Sequence, residues 1–212
     1  MIPTKLKRVS DDTLIDAELH DDLTLDAFFE AEEAWAGERV RVLRECVKGS
    51  VPATDIPQSI HWNWALKTLK LRTLSLGSLG SHRLLGIKAE SRWQGLLLGC
   101  CLGYASRIHS ERRDIVYVDF VETAPWNWNV TPIGRTSLYR GCGLQLFELA
   151  VRWSDSLGFK GRVGLHSLSQ SEVFYSDRCH MTDLGPDSKD KPPMRYFEIS
   201  EKAAREHFLL ED

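Results

Sequence analysis

The segment at residues 115–165 constrains the fold of this chain more than any other part of the sequence. It begins with a run rich in β-branched and aromatic residues (IVYVDFV), passes a long loop and a turn containing Gly141 and Gly143, and continues into a helical pattern at residues 144–157. A short apolar run at residues 162–165 follows. Two strands joined through a helix usually lie parallel in one sheet. The sequence therefore predicts a mixed α/β (α+β) fold built around this unit.

Further helices and strands are predicted on both sides of the unit. Apolar residues at helical spacing predict three more helices, at residues 25–47, 61–71 and 169–175. Extended patterns predict four more strands, at residues 83–89, 94–105, 180–184 and 195–199. Gly49 is expected to end the first helix, and Ser200 to cap a last helix at residues 201–210. Polar stretches at residues 75–81 and 185–193 predict loops, and residues 1–24 predict a short strand or a loose arm.

Composition places the chain among ordinary globular proteins. Its 212 residues are 42% hydrophobic and 27% charged, which excludes the fibrous and disordered classes. We expect one domain over residues 1–212, with an N-terminal helical part at residues 1–80, a core at 83–199 and a C-terminal helix at 200–212. The formal net charge of -3 gives no reason to expect nucleic acid or an anionic membrane surface as the partner.

Several kinds of segment and site are not found in the sequence. The most apolar stretch, residues 95–105, has about half of the roughly 20 residues that a membrane-spanning helix needs. The N-terminus lacks the apolar region of a signal peptide, so we expect a cytoplasmic protein. The five cysteines are an odd set without a C-x-x-C pair, which argues against both a disulfide framework and a zinc site. No bound metal is expected.

The turn at residues 139–144 (YRGCGL) is the strongest local indication of a ligand. Two glycines at the start of a helix let backbone N–H groups approach a phosphate, which the helix N-terminus also favours electrostatically. A dinucleotide fingerprint would need a third glycine at Leu146, and a P-loop would need G-K-[ST]. The alternative is a tight turn without a ligand. Cys142 suggests a nucleophile at a helix N-terminus, or, if phosphate lies on these amides, only a small residue that fits.

The order of these elements, with this turn and a downstream Phe174–Tyr175 pair, resembles the GNAT superfamily of acyl-CoA-dependent N-acetyltransferases. The resemblance covers about residues 83–199. It implies a GNAT-like acyl-CoA N-acyltransferase fold, a mixed central sheet whose splayed parallel strands are flanked by helices. Acetyl-CoA is the co-substrate that it implies.

The resemblance also implies which residues contact acetyl-CoA. In the family, a turn of this kind binds the pyrophosphate, and a neighbouring strand pairs through its backbone with the pantetheine arm. The residues at these positions are Val121, Thr123, Tyr139, Arg140, Gly141, Cys142, Gly143 and Leu144. Two departures stand out: Leu138 replaces the family's Gln or Arg, with Arg140 able to compensate, and residues 176–181 (SDRCHM) differ from the sequence that usually follows Phe-Tyr.

Acetyl transfer to an amine needs a base for the amine and a proton for the departing thiolate. Tyr175 occupies the position of the family's general-acid tyrosine, whereas Phe174 is expected to face the core. Glu122, at the end of the central strand, is the expected base, and His166 is its rival because an imidazole titrates near neutral pH. Trp126 and Asn127, just beyond the expected thioester position, are the acceptor-site candidates together with His166.

The sequence thus predicts an N-acetyltransferase that moves an acetyl or other acyl group from its CoA thioester to an amine by direct attack in a ternary complex. The acceptor remains open among small molecules, peptides and proteins. Acetylation of charged tRNA would need a basic surface, and the clustered basic residues are too few to argue for one, although charged tRNA stays an open alternative. A homodimer is likewise left open. The alternative is a non-catalytic acyl-CoA-binding or protein-interaction module with the same fold.

Overall fold

A computed structural model describes residues 1–67, 80–187 and 193–209. Its strands, numbered along the chain, are β1 (Ile2–Arg8), β2 (Leu14–His20), β3 (His82–Ala89), β4 (Arg92–Cys100), β5 (Val116–Thr123), β6 (Tyr139–Arg140), β7 (Val163–Ser167), β8 (Thr182–Pro186) and β9 (Arg195–Ile199). The helices are α1 (Asp26–Lys48), α2 (Cys142–Ser156), α3 (Glu172–Asp177) and α4 (Glu201–His207). Single 3-10 turns lie at Pro125–Asn127, Thr131–Ile133 and Ser169–Ser171.

The described strands form one sheet in the order β6-β1-β2-β3-β4-β5-β7-β9-β8. Strands β5 and β7 run parallel, and the other neighbouring pairs are antiparallel. The parallel pair is the one predicted from the strand–turn–helix–strand unit. The mixed α/β class is therefore confirmed.

The two faces of the sheet carry different helices. Side chains alternate across a strand, so Leu85 and Leu97 face α2 and its Leu146, whereas Leu96 faces α1 and its Trp35. Each face is thus covered by an apolar cluster. This arrangement brings the start of α2 and the middle of α1 to opposite sides of the central strands.

Most predicted elements occur within a few residues of their expected bounds. The helix predicted at residues 25–47 is α1, which ends at Gly49 as expected, and Ser200 accepts a hydrogen bond from the Ala203 N–H at the start of α4. The strand predicted at residues 94–105 stops at Cys100, since Gly103 takes a left-handed φ of +88° soon after.

Residues 1–24 differ most from the prediction, because they form the paired strands β1 and β2 rather than one short strand or a loose arm. The N-terminal part is therefore not only helical. Of the helix predicted at residues 61–71, residues 64–67 are helical and 68–71 lie outside the described residues. Parts of the other predicted elements also lie outside the described residues, namely residues 75–79, 188–192 and 210. Among the described helices, none has the length and apolar character needed to cross a membrane.

Candidate active site

A cleft of about 1160 Å³ opens at the place where β5 and β7 separate. The two strands pair only from Val116 to Val118 and from Val163 to Leu165. Beyond these pairs, the end of β5 forms one wall, and the chain from Leu168 into α3 forms another. The turn before α2, Val9 and the loop at residues 127–137 also line the cleft. So does the segment at residues 54–59, which we call the strap, through each of its residues except Ile56.

The glycine turn presents the start of α2 to this cleft. Gly141 has a φ of +94°, a left-handed conformation that favours glycine, and it offers no side-chain cap to the first N–H groups of α2. At Gly143, a Cβ atom would lie 3.4 Å from the Phe174 ring, so a larger residue would narrow the cleft. Uncapped N–H groups at a helix N-terminus form a suitable cradle for phosphate. All six residues of the predicted turn, 139–144, line the cleft.

Asn127 holds this turn in place from behind. Its Oδ1 accepts a hydrogen bond from the Tyr139 N–H at 3.0 Å, and its Nδ2 lies 3.2 Å from the Gln94 carbonyl oxygen and 3.7 Å from the Cys142 sulfur. Burial raises the pKa of the Cys142 thiol to about 12, so the thiol stays protonated at neutral pH. Cys142 therefore lacks the thiolate that a nucleophile needs.

At the end of β5, backbone N–H and carbonyl groups that do not pair with β4 face the cleft. The Ala124 N–H donates to the Gln94 carbonyl at 2.9 Å. Because hydrogen-bonded residues alternate along an antiparallel strand, Val121 and Thr123 turn their backbone polar groups away from β4, toward the side where β7 no longer pairs. The Trp128 indole donates to the Thr123 carbonyl at 3.1 Å. The N–H groups of Val121 and Thr123 and the Val121 carbonyl then face the cleft.

Tyr175 and Phe174 both line the cleft. Tyr175 is the more buried of the two, which is the opposite of the expectation. Tyr175 is 7% exposed and packs against Phe197, whereas Phe174 is half-buried over Gly143. The expectation that Phe174 would be the inward-facing residue is wrong, because α3 turns Tyr175 toward β9. Burial raises the pKa of the Tyr175 phenol, which keeps it protonated at neutral pH.

Glu122 belongs to a buried ionic network on the α1 side of the sheet. Its Oε2 accepts hydrogen bonds from the Arg39 guanidinium at 3.1 Å and the Trp64 indole at 2.5 Å. Arg39 also forms a bidentate pair with Glu32 at 2.9 Å. Oε1 of Glu122 is buried without a hydrogen-bond partner among the described residues. Burial raises the pKa of Glu122, and the Arg39 charge opposes that rise together with hydrogen bonds from the side chains of Trp64, Ser59 and Arg39.

Two of the three predicted acceptor residues lie away from the cleft. Trp126 donates to the Gln94 side chain at 2.7 Å and packs edge-on against Trp35, so its side chain belongs to the apolar cluster beneath α1. His166 contacts the Tyr117 hydroxyl at 2.7 Å and Asp187 at 3.3 Å outside the cleft lining. Asn127 does line the cleft, but its amide holds the glycine turn.

The strap is the part of the cleft that sequence patterns did not indicate. The Gln170 side chain accepts from the Gln58 N–H at 2.9 Å and donates to the carbonyls of Thr54 at 2.6 Å and Ile56 at 2.8 Å. The Gln58 side chain in turn accepts from the Gln170 N–H and donates to the Ser169 hydroxyl, both at 3.1 Å. These five bonds tie the strap to the chain that follows β7. No periodicity or motif marks two glutamines so far apart in sequence.

Arginines supply positive charge to the cleft. Arg140 and Arg178 are exposed and line it, and no ion pair is formed by either within the described parts of the chain. The described residues contain no His, Cys, Asp and Glu cluster that could hold a metal ion. All five cysteines are free. The site therefore combines a phosphate cradle and two cations with a buried carboxylate and a buried phenol.

Solved structures of acetyltransferases share this architecture. The Corynebacterium glutamicum structure described as histone acetyltransferase HPA2 and related acetyltransferase is 14% identical, with a TM-score of 0.50 over 86% of this chain and 94% of that one. An uncharacterized protein from Bacillus halodurans is 6% identical, with a TM-score of 0.52 over 98% and 94%. The PaiA N-acetyltransferase from Thermoplasma acidophilum, in complex with coenzyme A, is 13% identical, with a TM-score of 0.49 over 86% and 97%.

Sequence comparisons add nothing to this result. No protein-family profile matches the chain, and no curated protein sequence matches it. At identities this low the similarity extends to the fold alone. The chain has a GNAT-like fold, as the sequence resemblance predicts.

Proposed function

We propose that this protein is an N-acetyltransferase that moves an acetyl group from acetyl-CoA to an amine by direct attack in a ternary complex. The observation that carries the proposal is the cleft itself, where the uncapped start of α2 meets the end of β5 that no longer pairs with β7. The first feature suits a pyrophosphate, and the second suits the amides of a pantetheine arm. The acetyl-CoA thioester supplies the activated acyl group.

The proposed cofactor contacts divide between backbone and side chains. Residues 139–144 would hold the pyrophosphate through N–H groups, with the exposed Arg140 adding charge where Leu138 offers none. Val121 and Thr123 would pair with the pantetheine arm. Arg178 is a further cation at the cleft that can meet a phosphate group.

The proposed proton transfers use two of the buried ionisable groups that line the cleft, Glu122 and Tyr175. An amine with a pKa of about 10.4 is neutral in only about one molecule in 2,500 at pH 7, which costs about 4.6 kcal/mol. Glu122, whose buried Oε1 has no hydrogen-bond partner among the described residues, would take the ammonium proton directly or through water. Tyr175 would donate its proton to the thiolate of the departing CoA.

The first experiment separates cofactor binding from turnover. We expect calorimetric titration to show binding of acetyl-CoA and CoA, and none of ATP at the same concentration. The absence of acetyl-CoA binding at millimolar ligand would refute the proposal.

The second experiment changes Tyr175→Phe, which removes the hydroxyl and keeps the ring against Phe197. We expect kcat to fall about 100-fold with CoA affinity unchanged, because a positioned acid contributes only in the transition state. Amine screening by mass shift supplies the assay. Binding of acetyl-CoA with no turnover of any amine would favour the non-catalytic acyl-CoA-binding alternative.

A further inference from the structure

The cleft passes through the sheet from one face to the other. Gly141 lies at the start of α2, which covers one face, whereas Glu122 bonds to Arg39 of α1 on the opposite face. Both residues line the same cleft. If the cofactor phosphates rest on α2, the second reactant must approach from the α1 side. This step rests on the function proposed above.

The opening on the α1 side is crossed by the strap. The strap lines the cleft beside Glu122, and its five hydrogen bonds with Ser169 and Gln170 attach it to the far wall. Ile56 of the strap and Ile60, which follows it, pack against an apolar cluster containing Trp128. This packing holds the strap on the side opposite Gln170. The strap is therefore anchored on both sides of the opening.

The space beside the strap is polar, and the side chains of Asp55 and Glu122 place two carboxyl groups there. Asp55, Gln58 and Ser59 line it, together with the buried Glu122 whose Oε1 has no partner among the described residues. The Ser59 hydroxyl lies close enough to lower the pKa of Glu122, but Oε1 forms no hydrogen bond of normal geometry among the described residues, and an ammonium group would satisfy it. An extended polypeptide would have to displace the strap and break its bonds to Gln170.

We infer that the acceptor is a small polar amine that binds beneath the strap, and that Gln170 is the positioning residue that latches the strap closed. The ammonium group lies toward Glu122 and the polar remainder lies against residues 54–59. A peptide or protein lysine is excluded while the latch is intact. The latch thus selects acceptors by size.

The test compares Gln170→Ala with Ser169→Ala. The first variant removes three of the five bonds, and the second removes one, so the pair separates the latch from a general effect at this turn. The probes are ethanolamine, putrescine and glucosamine on one side and lysine-containing octapeptides on the other. Acetylation is measured by mass shift, and binding to the CoA-loaded protein by calorimetry.

We expect the wild type to bind and acetylate at least one small amine and no octapeptide. In Gln170→Ala, KM for that amine should rise about tenfold, CoA affinity should stay unchanged, and octapeptide acetylation should appear. Ser169→Ala should resemble the wild type. A preference of the wild type for octapeptides, or no binding of any small amine to the CoA-loaded protein, would overturn the inference. Failure to bind CoA itself would instead refute the proposed function.

Discussion

At the scale of single residues, Glu122 has both a structural contact and a free oxygen. Arg39 and Trp64 hold Oε2, whereas Oε1 is unpartnered within the described residues. Glu32 binds the same guanidinium but does not line the cleft. The two carboxylates therefore form a matched pair in which only Glu122 lines the cleft.

We expect Glu122→Gln to lower kcat about 100-fold or more, because an amide cannot accept the ammonium proton. Glu32→Gln removes a carboxylate from the same Arg39 and should leave kcat within about threefold of wild type. Steady-state kinetics on both purified variants checks this. Equal losses in the two variants would mean that the network acts only by supporting the fold.

The pKa of Glu122 also sets an expected pH dependence. Since burial raises it above that of the unfolded chain, the folded state holds this proton more tightly. Stability of the wild type should therefore fall, relative to Glu122→Gln, as pH rises through the raised value. The carboxylate required of a base forms over the same rise, so kcat should increase there. Urea unfolding and pH–rate profiles test both signs.

At the scale of elements, the strand–turn–helix unit of β6 and α2 forms the glycine turn, the proposed phosphate site. Gly141 has a left-handed φ of +94° beside the cleft, and Gly103 has one of +88° in a loop away from it. A Cβ has open space at Gly103 and only a contact at 3.9 Å at Gly141. Alanine at either position therefore meets the same backbone strain, of about 1–2 kcal/mol.

We expect Gly141→Ala to weaken CoA binding at least tenfold, since relief of the strain would turn the first N–H groups of α2 away from the phosphate. Gly103→Ala should lose comparable stability and bind CoA normally. Calorimetric titration and thermal unfolding of the two variants make the comparison. Normal CoA affinity in Gly141→Ala would place the phosphate elsewhere.

At the scale of the whole molecule, the N-terminal hairpin connects the glycine turn to the sheet. β1 lies between β2 and β6, so the two-residue strand that begins the glycine turn joins the sheet only through β1 among the described strands. Leu6 of β1 is fully buried in the cluster beneath α2. The hairpin is therefore part of the core.

We expect Leu6→Ala to lower the free energy of unfolding by about 2–5 kcal/mol, because it opens a cavity in a packed core. Leu14→Ala, on the neighbouring strand, changes a side chain that is 65% exposed and should cost no more than about 0.5 kcal/mol. Urea unfolding of both variants measures the difference. Equal stabilities would show that the hairpin packs loosely.

Local patterns in the sequence predicted much of the fold and part of the candidate site. The spacing of apolar residues indicated α1 and α2, and the two glycines indicated the turn that now lines the cleft. Each of these features depends on residues that are only a few positions apart in the sequence. They could be predicted because backbone preferences and side-chain periodicity act between near neighbours.

The sequence alone thus determined the class of the fold, the parallel unit and the position of the glycine turn. The tertiary structure decided that residues 1–24 join the sheet, that Trp126 and His166 lie outside the cleft, and that a strap crosses it. Gln58 and Gln170 meet across 112 positions. Such contacts depend on how distant elements pack, and a single sequence carries no local pattern for them.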